Sequence, residues 1–419
     1  MWSKLFEKWF VRRELPENRC AKVLNNFVTK ERARVKSDKS TSPDKLEELL
    51  GTVHATLKSK ESYMAKADLN GIIVQFMGNS FHQYDFWSEN WWLVDDDVPA
   101  HAFIYSVNGV KEMEPMAYYC PERYTAVFIN TEYYGQCKSW ALGAAAHILE
   151  ENYNTHSIHG ACIDVNGQGI IVVAPTGTGK TTQAFKLLLR PEGKLIGDDW
   201  VYIRYPEKES KNPKFPLIGT QPERSLYMRT ENEEEASWLR YVFDICKTEN
   251  VVTRKEDCEN TACLEKVKKG ERKCVFDEGF RWCYFSFPNA RAMVLRERLL
   301  GPKKVANKTK ISLLILLERV PGNPPEVKLS RDKAIEVLRK GEYMIRPGAG
   351  PKEMWGKIGS EPYYNPYLLK LNHEKQEYFF LRLIEEYKVP CILLNTASET
   401  IEQTHNRIMS ALKNRVNSS

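Results

Sequence analysis

Apolar and polar positions along this chain follow two periods, and the switches between them mark out its elements. Residues 1–60 are polar and read as helical. A charge-dense stretch at 30–39 runs into Ser-Thr-Ser-Pro, a loop or linker. Residues 71–77, 101–107 and 124–130 are rich in Ile, Val, Phe and Tyr and are separated by turn residues, which predicts three strands. Residues 140–153 carry Ala and Leu on one side of a helical repeat and predict a helix. Together 61–150 read as an α+β domain. Its Trp and Tyr residues from Phe86 to Trp92 read as aromatic core or as a binding surface.

Beyond Ser157 the pattern becomes strand, loop, helix, strand. Residues 161–165 and 169–173 are short apolar strands joined by Asn166-Gly167, a dipeptide suited to the tight hairpin turn with two positive φ angles. The loop 174–180 follows, then a helix predicted over 181–189. Strands over 194–196 and 200–203 flank Asp198-Asp199. Residues 229–280 are charged and read as a mostly helical insertion or lid. Residues 311–317 form an unbroken apolar run, as expected at the centre of a sheet. A Gly/Pro loop at 347–351, an amphipathic helix at 374–387 and a last strand at 390–394 complete the pattern, and no internal repeat occurs. The domain reading is a helical segment 1–60, an α+β domain 61–150, an α/β domain 151–400 carrying the insertion, and a C-terminal helix 401–419.

The chemistry concentrates in Ala174-Pro175-Thr176-Gly177-Thr178-Gly179-Lys180-Thr181-Thr182, a phosphate-binding loop pattern with Ala in place of its first Gly. Gly177 and Gly179 let the backbone curl so that successive N–H groups face phosphate oxygens. The following helix adds its positive end. Lys180 then reaches the β- and γ-phosphates of a nucleotide triphosphate, and the Thr181 hydroxyl suits Mg²⁺. Asp198 and Asp199 lie 18 and 19 residues after Lys180, at the end of the next strand. One carboxylate suits a general base for an attacking hydroxyl, and the other suits metal or water. His159, in Ser157-Ile158-His159-Gly160, reads as a structural residue or as a phosphate neighbour.

Charge and cysteine content narrow the setting. Of 419 residues, 61 are Lys or Arg and 55 are Asp or Glu, a net charge of +6 that suits an anionic substrate without arguing for nucleic acid. No apolar run reaches the ~18 residues of a membrane span. No secretory pattern opens the sequence, so no membrane partner and a reducing cytoplasm are expected. The ten cysteines include no CxxC pair, and the gaps among Cys246, Cys258, Cys263, Cys274 and Cys283 match no usual zinc spacing. Ordinary thiols are expected, with pairing or an irregular metal site as the alternatives.

Residues 159–203, with HGACIDVNGQGIIVVAPTGTGKTTQA and LIGDDWVYI, resemble the catalytic domain of HPr kinase/phosphorylase. KTKISLLILLE at 308–318 is similar to that family's later central strand, and the resemblance covers about 150–320. GTGKTT and LIGDD are also similar to the loop motifs of ATP-dependent phosphoenolpyruvate carboxykinase. The resemblance implies an α/β P-loop kinase domain of the HPr kinase/phosphoenolpyruvate carboxykinase type behind an N-terminal α+β domain. It implies that Lys180 binds phosphate, Thr181 binds Mg²⁺, Asp198 is the catalytic base, Asp199 its neighbour and His159 a residue close to the phosphates. The family's downstream glutamate- and glycine-rich signature is not recognisable. At that place stands PERSLYMR at 222–229, where Glu223 or Glu231 is a candidate metal ligand and Arg224 or Arg229 a candidate phosphate clamp. Arg291 is the candidate second phosphate-binding arginine. Residues 1–150 and 320–419 depart from the family, so HPr itself is not implied as the acceptor.

The expected function is an ATP- and Mg²⁺-dependent kinase acting on a hydroxyl acceptor, taken as a small molecule, with a protein serine or an RNA hydroxyl as alternatives. Oligomeric state is left open, a homo-oligomer included. A carboxykinase-like lyase pairs a lysine with a histidine ahead of the loop, and no lysine lies between Ser139 and His159. A non-catalytic nucleotide- or RNA-binding module would use the basic stretches at 30–39, 266–273 and 303–310. The paired Asp argues against it, because carboxylates beside a γ-phosphate repel it without metal or chemistry.

Overall fold

The computed structural model describes residues 35–206, 216–230, 239, 242, 243, 247–280, 282, 283, 290–345 and 352–417. The chain is mixed α/β and gathers into two compact units, residues 1–145 with 222–302 and residues 146–221 with 303–419. Expectations for residues 1–34, Glu231, Cys246 and 347–351 lie outside the described residues.

The unit bearing the glycine-rich loop is built on a nine-stranded sheet. Its middle strand is Lys308–Glu318, with Leu313, Leu314, Ile315, Leu316 and Leu317 fully buried. A strand covered on both faces has no polar face to alternate with, hence the unbroken apolar run. Gln168–Val173 runs parallel along one edge, with Val173 opposite Leu316. The other edge is shared. Ile218–Thr220 lies antiparallel beside its start, and Cys391–Asn395 lies parallel beside its end. Outward from Gln168–Val173 come Ala161–Val165 and Gly193–Gly197. Outward from Ile218–Thr220 come Trp200–Arg204 and Thr155–His159. The hairpin at Asn166-Gly167 has φ of 54° and 78°, and the Gly167 N–H donates to Asp164 Oδ1 at 3.0 Å. Asn followed by Gly is the pair that adopts two left-handed residues at least cost.

Helices cover this sheet. Arg331–Lys340 and His373–Leu381 place Ala334, Leu338, Phe379 and Phe380 in one core with Ile171, Val173, Leu314 and Leu316. The predicted single helix over 374–387 is instead an α-helix that widens into a π turn, Arg382–Glu386. Arg382 is 5% exposed there and pairs with Glu386 and with Asn154 Oδ1 at 2.7 Å. Ile401–Asn417 forms the C-terminal helix.

The other unit carries a seven-stranded sheet in the order Lys36–Asp38, Met116–Cys120, Thr125–Ile129, Ala102–Val107, Ile72–Gly78, Tyr63–Leu69, Trp92–Val94. Helix Pro43–Lys58 is capped by Ser42, begins on Pro43, and packs Leu46, Leu49 and Val53 against Val107, Val127 and Ile129. Phe86, Trp87 and Trp91 are core residues, whereas Trp92 is 52% exposed. The segment 222–302 groups with this unit. It contributes a three-stranded sheet of Ser225–Arg229, Arg291–Leu295 and Thr248–Glu249, with Thr261–Lys268 a short helix. Within 229–280 the described elements include Thr248–Glu249 and Thr261–Lys268. Helix Tyr134–Asn152, predicted over 140–153, spans the change of unit after residue 145.

Candidate functional site

The loop 174–179 leaves the end of Gln168–Val173 and enters helix Lys180–Leu188. Gly177 has φ of 81° and Gly179, the helix N-cap, φ of 107°. Both values lie where a side chain is strained, which is the local reason for glycine. Thr178 is fully buried and closes the turn, its N–H and hydroxyl donating to the Pro175 carbonyl at 3.3 and 2.7 Å. The Thr396 hydroxyl donates to the Thr178 carbonyl at 2.7 Å, so the loop is held from the end of strand Cys391–Asn395. Thr176 and Gly177 are exposed, while Lys180, Thr181 and Thr182 are half-buried in the helix's first turn.

Lys180 extends to the next turn, where its Nζ donates to the Asp198 carbonyl at 2.9 Å. Asp198 and Asp199 follow strand Gly193–Gly197, whose register against Ala161–Val165 shifts between Leu195 and Gly197. Asp198 is half-buried and Asp199 exposed. His159 ends strand Thr155–His159 opposite Trp200, and its Nε2 lies 3.2 Å from Asp199 Oδ1. The Gly160 N–H donates to the Asp199 carbonyl at 3.2 Å. A Cβ on Gly160 would sit 2.9 Å from the Val172 carbonyl oxygen, so only glycine lets the strand pass this close. The Tyr367 ring meets the His159 ring edge to face, 4.8 Å between centroids at 88°.

Four of the sequence candidates, His159, Lys180, Asp198 and Asp199, therefore lie together at the loop. Glu223 and Arg291 belong to the other unit. There the buried Glu223 carboxylate takes the Lys138 ammonium at 2.8 Å and the Asn90 amide at 3.4 Å. Arg291 opens strand Arg291–Leu295 and donates to the Ala290 carbonyl at 3.0 Å. Arg224 lies over the Trp92 ring at 4.8 Å in that same unit. Thr396 and Tyr367 escaped the residue pattern: each stands in an irregular stretch without periodicity, and each reaches the site through long-range pairing.

Among the described residues no three His, Cys, Asp or Glu side chains converge as an all-protein metal cage. A Mg²⁺ carried on substrate phosphates needs only one or two carboxylates and a hydroxyl, all hard oxygen donors. Thr181, Asp198 and Asp199 supply that donor class. No helix among the described residues is long and apolar enough to cross a membrane.

No family model matches the chain. Part of it is similar to HPr kinase/phosphorylases. It is 36% identical over 69 residues to that of Bacillus licheniformis, covering 16% of this chain and 20% of that protein. It is 33% identical over 69 residues to that of Bacillus subtilis, with the same coverage. It is 30% identical over 78 residues to that of Limosilactobacillus reuteri, covering 19% of this chain and 22% of that protein. The chain thus spans about a fifth of the length of the curated relatives it matches, a local relationship to kinase/phosphorylase enzymes.

Proposed function

We propose that this chain is a P-loop phosphotransferase that moves the γ-phosphoryl group of ATP to a hydroxyl acceptor, with Mg²⁺, and that the acceptor is a small molecule. The observation that carries the reading is the approach of Lys180 Nζ to the Asp198 carbonyl at 2.9 Å, which joins a glycine-rich loop to a pair of carboxylates. The local likeness to kinase/phosphorylases supports it.

In this reading the loop amides and the helix N-terminus bind the phosphates. Lys180 bridges the β- and γ-phosphates as a point charge. Asp198 accepts the proton of the acceptor hydroxyl as that oxygen attacks phosphorus. Asp199, held by His159, faces the same space and joins the Thr181 hydroxyl as an oxygen donor to Mg²⁺. The bound ion offsets charge on the triphosphate. Phosphoryl transfer asks mainly for positioning and electrostatics, and these groups supply both.

The test is a γ-labelled ATP assay against metabolite, protein and RNA fractions. Asp198→Asn is expected to lose roughly 10²–10⁴ in kcat, and Lys180→Ala to weaken ATP binding. Full transfer by Asp198→Asn removes the base assignment, and normal turnover by Lys180→Ala removes the nucleotide site. Label in the protein or RNA fraction instead of the metabolites reassigns the acceptor.

A further inference from the structure

Behind His159 lies a buried polar network that the scheme above does not use. Glu150, near the end of helix Tyr134–Asn152, accepts from the Ser157 N–H at 3.0 Å, the Ser157 hydroxyl at 2.7 Å and the Gln376 amide at 2.8 Å. Gln376 Oε1 meets His156 Nε2 at 3.2 Å and accepts the Asn365 N–H at 3.4 Å. Asn365 donates to the Ser157 hydroxyl at 3.4 Å, and its Oδ1 accepts the Tyr367 N–H at 3.0 Å. Glu150 is 6% exposed, Asn365 1%, and Ser157, His156 and Gln376 are fully buried. His156 is itself stacked on Phe379 at 5.1 Å.

Each member holds another, and linked hydrogen bonds of this kind restrain the side chains that make them. It grips strand Thr155–His159 at Ser157, two residues before its end, and it grips the 365–367 loop at Asn365. Both grips converge on one contact, the edge-to-face pair of Tyr367 and His159. The imidazole Nε2 of the same ring lies 3.2 Å from Asp199 Oδ1.

We propose that Tyr367, held by Asn365 and the Glu150–Gln376 network, is a positioning residue that fixes the His159 imidazole against Asp199. Its effect on rate rests on the phosphotransfer reading; its effect on the imidazole does not. Tyr367→Leu removes the ring, Tyr367→Met does so with another side chain should Leu fail to fold, and Tyr367→Phe keeps the ring.

Loss of the ring is expected to move the His159 ring resonances and to lower kcat roughly ten- to a hundredfold, with KM for ATP little changed. Tyr367→Phe is expected to restore most of both. In a His159→Ala background, Tyr367→Leu should add nothing, because it acts through the absent imidazole. Unmoved His159 resonances in Tyr367→Leu, or full additivity in the double variant, overturns the proposal. If wild type transfers no phosphoryl group, the functional reading fails while the resonances still decide the positioning.

Discussion

The Thr396 hydroxyl has two carbonyls within reach, those of Thr178 at 2.7 Å and Glu318 at 3.2 Å. The Thr178 carbonyl belongs to the loop, so this hydrogen bond holds the loop backbone in place. Thr396→Val keeps the shape of the side chain and removes the donor. Leaving such a buried acceptor unmade costs about 1–3 kcal/mol. That cost falls on the loop, so KM for ATP should rise about five- to a hundredfold while the melting temperature shifts little, and Thr396→Ser should restore it. Steady-state kinetics of the three proteins decides it, and an unchanged KM in the Val variant would mean that Thr178 and Pro175 hold the loop unaided. The contrast with Lys180 and Asp198 explains what the residue pattern could reveal. Those two stand in short motifs whose spacing carries the chemistry. Thr396 matters only because strand Cys391–Asn395 pairs beside Lys308–Glu318, a contact that no local window contains. Glu223 and Arg291 stand out only by residue type downstream of the loop, and both fall within the unit of residues 1–145 with 222–302.

At the scale of elements, legibility followed burial. Strands covered on both faces, such as Lys308–Glu318, stand out as apolar runs, and the Asn166-Gly167 hairpin announces itself by its turn. Edge and half-covered pieces such as Ile218–Thr220 and Glu326–Lys328 are three residues long and carry no such signal. The packing of helix Tyr134–Asn152, strand Thr155–His159 and helix His373–Leu381 has a consequence that can be titrated. Burial pushes the Glu150 carboxyl up to about 7 from its ordinary 4.5, against the pull of Ser157, Lys375 and Gln376. Burial lowers the His156 imidazole to about 3 from 6.5, with Gln376 opposing. The folded protein therefore holds the Glu150 proton more tightly than the unfolded chain, and this group costs stability as pH rises from 4.5 to about 7. His156 costs stability as pH falls from 6.5 towards 3. Glu150→Gln removes the first slope and keeps the second. The charged neighbours His147 and Glu151 on the same helix and Lys375 on the facing one are unchanged by it. The urea midpoint of the variant, relative to wild type, should climb between pH 4.5 and 7 and stay level on either side. A difference that does not change with pH would mean that Glu150 titrates as an ordinary carboxyl.

For the whole molecule, the chain changes unit after residues 145, 221 and 302, so neither unit is one continuous stretch. A cut after residue 145 therefore parts the two pieces of one unit. It parts Lys138 from Glu223, paired at 2.8 Å, and His82 from Glu249, paired at 2.9 Å. Glu249 is fully buried and Glu223 is 7% exposed. Removing one partner of a buried ion pair costs about 3–5 kcal/mol, because the remaining charge must be hydrated or neutralised. The loss of Lys138 from Glu223, with the His82–Glu249 hydrogen bond lost beside it, favours local opening of the segment. In a chain of residues 146–419, the 222–302 segment should therefore be cleaved first in limited proteolysis, while the nine-stranded sheet and its glycine-rich loop stay protected. In the full-length protein Lys138→Met should sensitise the same segment, and Lys138→Met with Glu223→Leu should largely restore resistance, since an apolar pair of similar volume needs no counter-ion. Equal resistance of 222–302 with and without residues 1–145 would mean that the segment folds by itself and that the buried pairs are dispensable.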